Sequence, residues 1–155
     1  MTLLFFNRFL RTVLLFVLSF FLFLIGKYDI RFRKIPNKYI ICTGVTGGFI
    51  RFVYYYDVIN IKSVACGLVT MCIFLIIIVI FIPGSFGGGD IKLFICSSLF
   101  LGMKVWDVFV ITILGAFPVA FFKVLTRNDD KYFPIGPYIS IGILLEILLL
   151  LYGLT

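Results

Sequence analysis

Ile73-Phe74-Leu75-Ile76-Ile77-Ile78-Val79-Ile80-Phe81-Ile82 runs straight into Pro83-Gly84-Ser85-Phe86-Gly87-Gly88-Gly89-Asp90. The apolar run belongs to a segment, residues 63 to 83, that carries no charge and is long enough to cross the roughly 30 Å hydrocarbon core of a bilayer as a helix. Pro83 and the glycines interrupt that helix, one lacking a backbone donor and the others favouring irregular backbone. Asp90 then opens a short apolar segment, 90 to 103. Its length suits a helix that starts inside the protein at membrane depth, where irregular backbone is tolerated only beside a buried cavity. Span, break and lone acid in that order predict a helical bundle dissolved in lipid.

The rest of the chain extends the pattern. Further apolar segments cover 10–26, 37–56, 106–125 and 137–154, which predicts an all-α integral membrane protein of about six transmembrane helices in one domain, 1–155. Composition agrees: 63% of residues are hydrophobic and 14% charged, where a soluble domain has about a quarter charged. The first segment follows Arg8 and Arg11 as a secretory signal would, but no small-residue cleavage site precedes Lys27, so a retained helix is expected, with residues 1–9 lying at the interface. There is no His, and Cys42, Cys66, Cys72 and Cys96 never stand in a CxxC spacing. Neither a zinc site nor a Cys-His or Ser-His nucleophile is expected. No cofactor is expected either.

The net charge of +7 sits at the flanks of the apolar runs. That placement points to membrane lipid as the partner of the cations and argues against nucleic acid. With the loops at 27–38, 83–89 and 126–133 on the cytoplasmic side, nine basic residues lie inside: Lys27, Arg31, Arg33, Lys34, Lys38, Lys92, Lys123, Arg127 and Lys131. The opposite face holds five, Arg8, Arg11, Arg51, Lys62 and Lys104. The bias predicts a multi-pass protein of the cytoplasmic (inner) membrane with both ends outside.

Of the seven acids, Asp57 and Asp107 fall in short external loops, and Asp129 and Asp130 in a polar turn. Glu146 lies deep in the last segment, with Arg51 as its expected partner. Asp29 and Asp90 remain, 61 positions apart (90 minus 29), yet at the same membrane boundary in this topology. Each alone reads as a helix cap or an interface charge. Paired, two carboxylates sharing a proton can polarise a carbonyl and activate water. A helix start favours negative charge and a helix end does not, so Asp90 is the expected base and Asp29 the proton holder. Gly87 and Gly89 would let an extended peptide approach closely, and Pro83-Gly84-Ser85-Phe86 could form a flap beside Asp90. A phosphate cradle is not supported, since Gly-x-Gly-x-x-Gly is incomplete and Gly-Lys-Ser/Thr is missing.

Supporting positions have plainer readings. Pro36 and Asn37 start the second helix. Lys92 snorkels as a topology-setting cation. Pro118 kinks the fifth helix, Gly136 and Pro137 shape the approach to the sixth, and Tyr54, Tyr55 and Tyr56 make an interface belt.

Three segments together carry a resemblance: Asp29-Ile30-Arg31-Phe32-Arg33-Lys34-Ile35-Pro36-Asn37, Gly87-Gly88-Gly89-Asp90-Ile91-Lys92-Leu93 and Phe133-Pro134-Ile135-Gly136-Pro137-Tyr138. In type and order they resemble the type IV prepilin peptidase family, an aspartic membrane peptidase family of the GxGD kind. The resemblance runs from about Phe16 to the C-terminus. It implies that Asp29 and Asp90 are catalytic and that a short basic leader is cleaved from a pilin-like precursor, ahead of its hydrophobic helix, at the cytoplasmic face. Arg31, Pro36, Asn37, Gly87, Gly89, Lys92, Gly136 and Pro137 become supporting or substrate-loop residues. The added N-terminal part with paired CxxC motifs found in many members is missing here, so methyl transfer is not expected. The other reading kept open is a non-catalytic scaffold of a pilus or secretion system.

Overall fold

The computed structural model of the chain describes residues 2–54, 60–82, 86–125 and 134–152, with 2–8, 54 and 123–124 described by backbone alone. Six helices stand where apolar segments were expected: α1 (Thr2–Phe32), α2 (Asn37–Tyr54), α3 (Ile61–Phe81), α4 (Gly88–Leu101), α5 (Val105–Leu125) and α6 (Gly136–Tyr152). A single 3₁₀ turn, Gly102–Lys104, joins α4 to α5. No strand occurs among the described residues.

Three stretches are long and apolar enough to cross a membrane: Phe9–Phe32, Ile61–Phe81 and Gly88–Phe122, the last running through the α4–α5 corner. Distribution of polarity agrees. Phe16, Phe23, Phe81 and Leu114 are each at least 67% exposed on the outside. Thr43, Ser97, Ser98, Thr112, Ser140 and Glu146 are buried, together with Asp29 and Asp90. A water-soluble protein keeps ionisable groups outside and avoids large apolar patches there; this bundle does the reverse, as a lipid solvent requires.

Apolar residues fill the centre between those polar groups. Leu18, Leu22 and Ile25 of α1, Ile139, Ile143 and Ile147 of α6, Leu93 and Phe94 of α4, and Met71 and Leu75 of α3 belong to one buried apolar cluster. The strongest seams are α5 with α6, α1 with α6 and α2, and α4 with α2 and α3. Hydroxyls inside this core satisfy themselves locally, as Thr43 Oγ1 does on the Tyr39 carbonyl and Thr112 Oγ1 on that of Val108. Such back-bonding removes the cost of a bare donor in an apolar setting. The four cysteines form no disulfide.

Several expectations are corrected. The helical backbone is continuous from Thr2, so the start of α1 is no separate interfacial piece. It also runs past residue 26, placing Asp29 inside the helix rather than just beyond it, and ends only where Arg33 takes a positive φ of 53°. Asp107 stands in the first turn of α5, not in a loop, and bridges to Lys104 at 3.5 Å. Glu146 has Lys104 at 3.9 Å as its ion-pair partner; the Nη1 of Arg51, the expected partner, donates to the Leu99 carbonyl at 3.2 Å. The flap residues Pro83, Gly84 and Ser85, together with Tyr55, Tyr56, Asp57, Arg127, Asp129, Asp130, Lys131 and Phe133, lie outside the described residues.

Candidate active site

Asp29 occupies the last turns of α1, where the helix reaches the level of the α4 and α6 starts. Its side chain is buried, 6% exposed, and its Oδ2 accepts the backbone N–H of Gly136 at 2.9 Å. Gly136 is the first residue of α6, so the donor is one of the four amides that a helix start leaves without an internal partner. The approach is close: a Cβ on residue 136 would fall 2.8 Å from Oδ2 and 3.0 Å from the Cβ of Asp29. Only glycine leaves room for that carboxylate.

Asp90 approaches from α4. It is the third residue of that helix rather than its cap, the cap being Gly87 in extended backbone at φ −70°, ψ 148°. From the third position a carboxylate reaches back to the cap amide, and Gly87 N–H donates to Asp90 Oδ2 at 3.2 Å. The side chain is 7% exposed, and its Oδ1 is buried with no hydrogen-bond partner among the described residues. The Asp29 carboxylate lies within electrostatic reach of Asp90. Two helices far apart in sequence thus bring two acids to one place.

Contacts around the pair tie the three quoted segments together. Gly89 lets the start of α4 rest on the segment between α1 and α2, since a Cβ there would sit 2.9 Å from the Cβ of Ile35. Lys92 Nζ donates to Asn37 Oδ1 at 3.1 Å across the same seam. Lys92, read from the sequence as a topology-setting cation, thus also ties α4 to the start of α2. Pro36 stands just before α2 and its carbonyl accepts from Tyr39 N–H at 3.0 Å, which starts the helix as expected. Pro137 packs against Gly26 of α1, whose Cβ would lie 3.4 Å from the Pro137 Cα. Arg31 is exposed and lies over the Phe32 ring at 5.3 Å.

The sequence alone marked Gly136 as a helix-start residue and missed that its amide holds Asp29. Backbone donors leave no mark in a residue string; the glycine beside a proline was the available signal.

A helical membrane bundle in which two buried acids converge from separate helices defines the class of molecule. The sequence matches the type IV leader peptidase family over residues 16–124, a stretch that contains both Asp29 and Asp90, and the chain belongs to that family. It is thus a membrane protein of a protease family. Neither a curated protein nor a solved structure matches the chain.

Proposed function

We propose that the chain is an aspartic endopeptidase that removes the short basic leader from pilin-like precursors at the cytoplasmic face of the cell membrane. Six helices cross the bilayer in this reading, and Asp29 and Asp90 are the catalytic pair. The observation that carries it is the convergence of two buried carboxylates, one anchored by Gly136 N–H and the other by Gly87 N–H.

The chemistry follows from what each oxygen is free to do. Asp90 stands among the amides of a helix start, which favour negative charge, and its Oδ1 has no hydrogen-bond partner, so it can take a proton from water. Asp29 holds the shared proton and gives it to the carbonyl oxygen of the scissile peptide as the water oxygen bonds to carbon. The tetrahedral diol collapses when the amine nitrogen receives the proton taken up by Asp90 and one diol hydroxyl returns its proton to Asp29, breaking the C–N bond and releasing the leader as a carboxylic acid. That returned proton restores the single proton the coupled pair shares, so the cycle closes.

Substrate positioning rests on the same seams. Gly87 and Gly89 keep side chains off the α4 start, and Asn37 with Lys92 holds the Ile35-Pro36 segment against it.

The test is leader removal from a reconstituted precursor by wild type, Asp29→Asn and Asp90→Asn. Both substitutions abolish cleavage while membrane insertion is unchanged. Cleavage retained by either one eliminates the dyad, and a wild-type chain that cleaves no leader-bearing precursor leaves the scaffold reading in its place.

A further inference from the structure

Between α1 and α6 lies an open apolar groove of about 660 Å³. Leu22 and Phe23 form one wall, Ile141 and Leu144 the other, and Gly26 with Pro137 narrows it where the helices meet. Two serines line it as well, but each hydroxyl is already spent on its own helix: Ser19 on the Leu15 carbonyl at 2.7 Å, Ser140 on that of Gly136 at 2.8 Å. The groove therefore asks for hydrocarbon, not water.

One end differs. Lys27 and Arg31, four residues apart on one face of α1, line the groove where it reaches the Asp29 level, and both are exposed. Neither has an ion-pair partner among the described residues. From Ser19 to Arg31 the groove follows 12 residues of α1 (31 minus 19), about 18 Å at 1.5 Å per residue. Half a hydrocarbon core is about 15 Å. A single acyl chain of one leaflet has that length, with its phosphate at the level of the two cations. A peptide helix about 10 Å wide over the same length would occupy about 1,400 Å³, more than twice the room available.

We propose that the α1–α6 groove binds an anionic phospholipid, one acyl chain lying between Leu22, Phe23, Ile141 and Leu144 and the phosphate held by Lys27 and Arg31. The site lies along the seam whose end carries the Gly136 to Asp29 hydrogen bond, so a bound lipid braces the helices that position one acid. It does not depend on the peptidase reading.

The test uses the full chain in nanodiscs with a Trp reporter on the groove, Phe23→Trp in a Trp106→Phe background, quenched by phospholipid brominated on its acyl chains. About 1 kcal/mol per basic residue near an anionic headgroup, at tenfold per 1.4 kcal/mol, gives a preference on the order of thirtyfold for brominated phosphatidylglycerol over brominated phosphatidylcholine. Lys27→Gln with Arg31→Gln removes that preference, and Lys27→Arg with Arg31→Lys keeps it. A reporter at Leu114→Trp, on the lipid face of α5, shows none. Equal quenching by both lipids at residue 23, or a preference that survives the double glutamine variant, overturns the proposal. So does stoichiometric displacement of the brominated lipid by a precursor's hydrophobic helix, which would give the groove to the substrate.

Discussion

Gly136→Ala is the sharpest perturbation of the candidate site, because it adds one methyl group and removes no functional atom. The new Cβ would stand 2.8 Å from Asp29 Oδ2, and ordinary contact begins near 3.4 Å, so the carboxylate or the start of α6 must retreat by about 0.6 Å (3.4 minus 2.8). Residue 136 has no positive φ, so alanine brings no backbone strain of its own. The retreat stretches a 2.9 Å hydrogen bond from an amide to a buried carboxylate. Bonds to charged groups contribute about 1.5–3 kcal/mol, equivalent to about 10- to 150-fold in rate at 1.36 kcal/mol per tenfold. Leader cleavage measured as kcat/KM in reconstituted membranes should fall at least about tenfold. Gly48→Ala is the control, with nothing within 4 Å of its Cβ, and should cleave like wild type while stabilising α2 by about 0.5–1 kcal/mol. Cleavage by Gly136→Ala within twofold of wild type would refute the claim that this amide positions Asp29.

Other consequences can be checked alongside. Gly89→Ala forces its Cβ against Ile35 and should lower cleavage by about tenfold, since misplacement near 1 Å is known to cost as much or more; an unchanged rate would show that the α4 start need not rest on Ile35. A double-mutant cycle of Lys92→Ala and Asn37→Ala should return a coupling of about 0.5–1 kcal/mol in thermal stability, small because the bond is exposed, and additivity would dissolve the link. Glu146→Gln should keep both fold and cleavage, because Oε1 has no hydrogen bond to lose and Lys104 stands 3.9 Å away. Glu146→Ala should cost about 1–3 kcal/mol by emptying a buried site, read as a lowered midpoint in detergent. Loss of cleavage in the glutamine variant would make Glu146 a third working acid.

Helix number and position were readable from the residues because hydrophobic length is a one-dimensional signal and the bilayer sets its scale. The start of α4 came within two residues, since Gly87-Gly88-Gly89 and Asp90 mark a break and a first turn by chemistry alone. Long-range polar partners were not readable. Asn37 and Lys92 are 55 positions apart and Asp29 and Gly136 are 107 apart, and nothing in either local pattern names the other. Glu146 shows the limit well: burial in an apolar helix signalled that it needed a cation, but its choice of Lys104 over Arg51 depends on the α4–α5 corner.

The glycines deserve a different kind of reading from the acids. Gly87, Gly89 and Gly136 each stand where an added Cβ would meet a carboxylate or the segment that carries one. Their common property is an absence of atoms, and it lets three helix starts or ends crowd around two side chains inside the bundle. Each buried carboxylate takes its fixed hydrogen bond, on Oδ2, from a backbone amide that a helix start leaves open. Close approach is the condition for those bonds, and glycine is the residue that permits it. In the proposed reaction the acids carry the chemistry, but the positions that decide whether they can meet have no functional group at all, which is why substitution at Gly136 tests the site more cleanly than substitution of either Asp.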